Sequence, residues 1–335
     1  MLTELAYRAL TTAPGQHLVR QLGRAVRLPH ETSESSGALG RVLLVVTVDT
    51  EGGFVERGER RVWQGRAPTA FQGYVHGIRN VTEVLDRHGV KGTFFVAPHG
   101  RSATGPTLVA VERAICSIVD GGHALGLHVH PSSDAALAQR LGQTFASGSA
   151  HELDESDLER LVIAGRALLT ELLSPDATLD LVRWGNWALD DRAARLLAAQ
   201  GFRIDSSAVP GLRDRKSGGR PRYDWSHERR TAPWELVPGL LEVPIATFRV
   251  LGGCFRADPI YGALVTAALK RAASHGAGAP RVFVVMTHST EATHEDGSPT
   301  RVLSALDELL RVAGEDPRID VVRLDEAALR LRLQP

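Results

Sequence analysis

Two acidic residues, Asp49 and Glu51, stand two positions apart at the end of the hydrophobic run RVLLVVTVD (41–49). Two histidines, His128 and His130, close the run HALGLHVH (123–130) with the same spacing. An extended chain alternates its side chains, so a spacing of two puts each pair on one face. Carboxylates so placed can ligate a cation, or act as base and ligand around one, and either role needs positive charge nearby to offset their repulsion. Two imidazoles on one strand face can grip zinc or a similar divalent ion. Arg183 ends the run LDLVRW (179–184), and an arginine there can hold a carboxylate in its ionised form. His288 ends RVFVVMTH (281–288), and an imidazole outside the metal shell suits protonation of a departing amine or alkoxide near neutral pH. Each feature alone has a plain structural explanation; together they form the inventory of a hydrolytic metal site.

These residues need a scaffold that brings strand ends together. Candidate strands at 41–49, 92–97, 123–130, 179–184, 202–206, 240–246, 281–288 and 319–324 alternate with helical patterns at 71–89, 155–173, 190–201 and 298–314. Gly89, Gly201 and Gly314 follow three of these helices, where C-capping glycines belong. Repeated strand–helix units predict an α/β fold with a parallel sheet, wound open or closed into a β/α barrel. In either, functional residues gather at the carboxyl ends of the strands. Alternation then turns Val45, Thr47, Asp49 and Glu51 to one face, with Gly126, His128 and His130, with Arg183, and with Val284, Met286 and His288.

The 335 residues carry 39 basic and 39 acidic side chains, so no global field draws the chain to nucleic acid. Cys116 and Cys254 are too few for a disulfide framework and read as small buried side chains. Residues 1–38 read as an N-terminal helical appendage and polar linker, ahead of a catalytic domain at 39–335. The appendage can pack on its own protein or lie on a membrane surface. No stretch reaches the roughly 20 apolar residues of a spanning helix, and the expected compartment is the cytoplasm. Residues 207–238 read as an inserted loop, whose Tyr223, Trp225 and Trp234 either stack on a sugar or pin the loop to the core.

In this order the clusters resemble the polysaccharide deacetylase (NodB-type carbohydrate esterase) family, over roughly residues 41–330. Thr47 to Gly52 looks like its acidic first motif, Gly92 to Val96 like its Thr-Phe-Phe strand, and Gly122 to His128 like the entry to its metal motif. Arg183 to Trp187 resembles the arginine motif, Gly201-Phe202 with Asp205-Ser206-Ser207 a further family stretch, and His288 the last catalytic histidine. The resemblance implies a distorted (β/α) barrel and a divalent metal, zinc first, with cobalt or nickel as alternatives. It implies Asp49 as general base, Glu51 and His128 as ligands, Arg183 as the group that orients the base, and His288 as general acid. His130 stands in for a family histidine four residues after the first, a place that Ser132 occupies here. Because Thr50 separates the two acids, the base and ligand roles of Asp49 and Glu51 can be exchanged. Trp184 and Trp187 are expected to meet the substrate.

The expected activity is metal-dependent removal of acetyl from an acetamido sugar, a glycan precursor or a glycosylated metabolite. A metal-free amidohydrolase acting on a cyclic amide or ureide is one alternative, and a glycan-binding barrel without catalysis is another. A serine hydrolase and a nucleotide-binding fold are disfavoured, because no Gly-x-Ser-x-Gly elbow and no glycine-rich phosphate loop after the first strand are present. The oligomeric state is left open.

Overall fold

The computed structural model describes residues 14, 41–57, 60–63, 65, 67–175, 177–214, 221–248, 253–259, 261–274 and 281–332. The expected N-terminal appendage therefore lies outside the described residues, apart from residue 14. The strands, in chain order, are β1 (Val42–Thr50), β2 (Phe54–Arg57), β3 (Arg60–Trp63), β4 (Thr93–Val96), β5 (Ala124–Val129), β6 (Leu181–Trp184), β7 (Ile204–Asp205), β8 (Trp234–Val237), β9 (Leu240–Glu242), β10 (Thr247–Phe248), β11 (Gly253–Cys254), β12 (Arg281–His288) and β13 (Ile319–Val322).

The main sheet runs β12-β1-β4-β5-β6-β7-β9-β8, with β13 also paired to the start of β1. All its pairings are parallel except β8 with β9. The sheet curls, and its ends meet irregularly where Ile245 bridges Val284 and Arg256 bridges Met286. This is a distorted (β/α) barrel flanked by helices, with the carboxyl ends of β1, β5, β6 and β12 on one rim.

Period-two alternation sorts the core into two layers. Leu43, Val45, Phe95, Leu181, Val284 and Met286 pack together inside the curl. Leu44, Val46, Val48, Leu127, Val182 and Trp184 pack outward against the helices. The helices start where the sequence supplies caps: Asp134, Asp154, Asp190 and Thr300 accept hydrogen bonds from the first-turn amides of helices Ala135–Leu141, Glu155–Thr170, Asp191–Ala199 and Arg301–Glu315. Gly89 and Gly201 take positive φ after their helices, as expected of C-caps. Gly314 does not, because the last of those helices runs on to Glu315.

The expected loop at 207–238 is partly regular. Its end forms β8, and within it Arg213 bridges Asp224 in antiparallel fashion. Trp225 and Trp234 are buried in the inner layer, so they pin this segment to the barrel. The hairpin of β2 and β3 follows β1 directly and has no counterpart among the expected strands.

Candidate active site at the barrel rim

Asp49 sits near the end of β1 and Arg183 on β6, with β4 and β5 between the two strands in the curled sheet, both without meaningful exposure. One guanidinium nitrogen of Arg183 donates to Asp49 Oδ1 at 2.6 Å and to Thr47 Oγ1 at 3.0 Å. Arg183 Nε donates to the Ser206 carbonyl at 2.7 Å, its other terminal nitrogen to Ser206 Oγ at 2.9 Å, and the guanidinium lies 4.3 Å from the centre of the Phe95 ring. A guanidinium so completely satisfied has one orientation. Burial alone pushes the Asp49 carboxyl up, but the adjacent Arg183 charge helps hold it below its ordinary value, ionised and able to accept a proton. Removing one partner of such a buried pair costs roughly 3–5 kcal/mol.

Glu51, His128 and His130 converge beside this pair, with one ligand atom from each lying within 4.8 Å of the others. His128 Nδ1 is 3.0 Å from the Arg183 carbonyl, an acceptor, so the hydrogen sits on Nδ1 and Nε2 is left with its lone pair toward Asp49, 4.0 Å away. Burial also depresses the His128 imidazole, keeping it neutral, as a metal ligand must be. His130 Nε2 lies 3.2 Å from Glu51 Oε2. The donor set of one carboxylate and two imidazoles with open positions fits zinc, and Asp49 is held by Arg183 instead.

The local backbone explains how His130 reaches this point. Pro131 ends the strand, and the chain turns at once into the helix capped by Asp134. Gly185, which follows β6, lies against the His130 ring so closely that a Cβ there would come within 2.5 Å of it. The next two residues, Asn186 and Trp187, take φ of 53° and 57°, a left-handed bend that is strained for side chains of their size.

His288 closes β12, directly in register with Asp49 of β1. Its Nε2 lies 4.0 Å from Glu51 Oε1, and its Nδ1 lies 3.1 Å from Glu291 Oε2. Arg256, brought to the rim by its bridge to β12, binds Glu291 at 2.5 Å and Asp258 at 3.1 Å. Nδ1 thus faces the Glu291 carboxylate and, at 3.3 Å, a terminal nitrogen of Arg256, while Nε2 faces the site. A π-helical turn, Gly73–Gly77, backs this corner: a Cβ on Gly77 would fall 2.1 Å from the Ser289 carbonyl.

All six residues expected to carry the chemistry therefore meet on one rim. Of the two tryptophans expected at the substrate, Trp184 is fully buried in the outer layer and gives its indole N–H to the Gly148 carbonyl at 2.8 Å. That expectation is corrected: alternation on β6 sends Trp184 to the face opposite Arg183. Trp187 is partly buried, meets Tyr223 edge-on at 5.3 Å, and accepts the Trp225 indole N–H on its carbonyl at 2.9 Å. Tyr223 and Trp225 in turn line a cleft of about 590 Å³ whose walls also include Arg192, Arg213 and Arg222. Glu291, Arg256 and Ser206 escaped the sequence reading. Glu291 follows His288 by three residues and Ser206 lies in the Asp205-Ser206-Ser207 stretch, so both had a signal there; Arg256 did not.

No protein-family description and no curated protein sequence matches the chain. Solved structures do. A Mycobacterium smegmatis protein designated a polysaccharide deacetylase superposes with a TM-score of 0.58 at 17% identity, over 91% of this chain and 95% of its own. A Pseudomonas aeruginosa PAO1 protein of the same designation gives 0.54 at 17% identity, over 92% of this chain and 95% of its own. With its curled parallel sheet, this chain has the polysaccharide deacetylase fold.

Proposed function

We propose that the chain is a metal-dependent deacetylase that hydrolyses the N-acetyl group of an acetamido sugar, a glycan precursor or a glycosylated metabolite. The observation that carries this reading is the juxtaposition of three potential ligands, Glu51, His128 and His130, with an arginine-held carboxylate, Asp49, and a carboxylate-oriented histidine, His288. An amide is a poor electrophile with a poor leaving group, so its hydrolysis needs polarisation, an activated water and a proton for the amine. A metal held by Glu51, His128 and His130 supplies the polarisation and lowers the pKa of water. Zinc, with cobalt or nickel as substitutes, matches that donor set.

The chain's own groups supply the rest. Asp49, ionised and aimed by Arg183, takes the proton of the attacking water. His288 Nε2 delivers a proton to the departing nitrogen, and Glu291 on Nδ1 stabilises the imidazolium before delivery. That Arg183 holds Asp49 while Glu51 lies against His130 supports Asp49 as the base and Glu51 as the ligand. The left-handed bend at Asn186 and Trp187 directly follows Gly185, which packs on the His130 ring, and the pyranose of a substrate would pass along it. The cytoplasmic setting expected above belongs to the same reading and suits a soluble precursor.

The test is acetate release from N-acetylglucosamine oligomers before and after exhaustive chelation. Activity that disappears with the metal and returns with added zinc supports the reading. Hydrolysis that survives chelation transfers support to a metal-free amidohydrolase, and binding of the oligomers without turnover to a glycan-binding barrel.

A further inference from the structure

Two acidic side chains belong to no step above. Asp205 and Glu242 are register partners in the parallel pairing of β7 with β9, so both leave the sheet on the same face, and neither has any exposure to solvent. Arg183 is the cation that acts on both, and it is already paired with Asp49. Two further ionised carboxylates here would leave excess negative charge where solvent does not reach, which adjacent buried acids avoid by retaining a proton. Among the described residues Glu242 Oε2 meets no donor, which is consistent with a carboxylic acid whose proton goes to Asp205, its register partner and side-chain neighbour. Burial and then the Asp205 charge push Glu242 well above the ordinary carboxyl range.

The remaining oxygens of the pair hold one short turn. Ser207 donates its hydroxyl to Asp205 Oδ1 at 2.7 Å and its amide to Oδ2 at 3.3 Å, and the Ala208 amide donates to Glu242 Oε1 at 3.0 Å. The same turn presents the Ser206 carbonyl and hydroxyl to Arg183, and the Ser207 hydroxyl to the amide of Trp184 at 2.8 Å. The chain of contacts runs from the pair, through residues 206–208, to the guanidinium that aims Asp49.

We propose that Asp205 and Glu242 form an acid–carboxylate pair sharing one proton, and that this pair is a positioning device which, by fixing the 206–208 turn, aims Arg183 at Asp49. No bond is made or broken in the pair during turnover; it acts through Arg183. Its kinetic readout rests on the deacetylase reading, whereas its protonation does not.

The experiment has two arms on the full chain. In the first, an infrared difference spectrum of wild type against Glu242→Gln at neutral pH shows a protonated-carboxyl band lost in the variant. Absence of that band overturns the shared proton whether or not the chain deacetylates anything. In the second, Glu242→Gln keeps kcat within about threefold, whereas Glu242→Ala lowers kcat about a hundredfold with KM unchanged. In an Arg183→Ala background, Glu242→Ala and Glu242→Gln both add less than about a twofold loss, because the step they support is already gone. Losses that multiply in that background, or a Gln variant as poor as Ala, overturn the positioning role. Should Glu242→Ala fail to fold, Ser206→Ala replaces it in the same cycle, with the same non-additivity expected.

Discussion

A buried histidine stands at each end of strand β5, His123 just before it and His128 near its exit, and the two differ in what meets their second nitrogen. His123, at the entrance, is 3% exposed, and His128, at the exit, is 2% exposed. His123 accepts the Gly92 amide on Nδ1 at 3.1 Å and packs edge-on against Phe94 at 5.5 Å. Burial, and then the charge of Lys91, push it down to about 4. It is a neutral wedge between a loop and a strand. His128 hydrogen-bonds a carbonyl on one nitrogen and turns the other toward two carboxylates and a second imidazole. Burial alone thus says nothing of function; what separates the two is the convergence of other donors on the free nitrogen.

That contrast can be broken in four places, in order of effect. Asp49→Asn removes the base of the rim while sparing its ligands, and is expected to lower kcat about 10³-fold or more with metal retained. Loss of metal in this variant would make Asp49 a ligand and reverse the assignment of the two acids. Gly185→Ala forces the His130 ring aside, because the new methyl would stand within 2.5 Å of it. Zinc affinity, titrated against a chelating indicator, should weaken about 10- to 100-fold; unchanged affinity would show that the ring position does not matter.

At the other end of β5 the effect is on stability. The folded-state value of His123, about 4, lies below its ordinary 6.5, so near neutral pH and above it both states carry a neutral ring. As pH falls below about 6.5 the unfolded chain takes up a proton that the fold refuses, and stability declines until about pH 4, by about 3 kcal/mol in all. His123→Gln should remove that share of the acid sensitivity in denaturant titrations at several pH values, without changing kcat. A parallel pH dependence in both proteins would contradict the assignment. The smallest effect is at Trp184→Phe, which leaves the Gly148 carbonyl without its donor and costs about 1–3 kcal/mol. KM should not move; a raised KM would return Trp184 to the substrate site.

The strands RVLLVVTVD and RVFVVMTH were legible as apolar, β-branched runs, the others as shorter apolar stretches between helical patterns, and their strand-end residues were legible because alternation is a strict geometric rule. The same rule, applied to β6, already separates Arg183 from Trp184, and the misplacement of Trp184 came from setting it aside. Strands β8, β10 and β11 are short and mix polar with apolar residues, so no period shows in them. Arg256 reaches the rim through an isolated bridge at the barrel's irregular seam, a tertiary accident without local signature. The Asp205–Glu242 pair depends on which strands are neighbours, which composition and spacing do not encode.

The central claim is that the exit of β5, and not its entrance, builds a metal site with Glu51. Zinc content measured on purified wild type and on the His123→Gln, His128→Ala and His130→Ala proteins tests it directly. The account predicts stoichiometric zinc in wild type and His123→Gln, and its loss from both other variants. Zinc retained after both substitutions at His128 and His130 would contradict it.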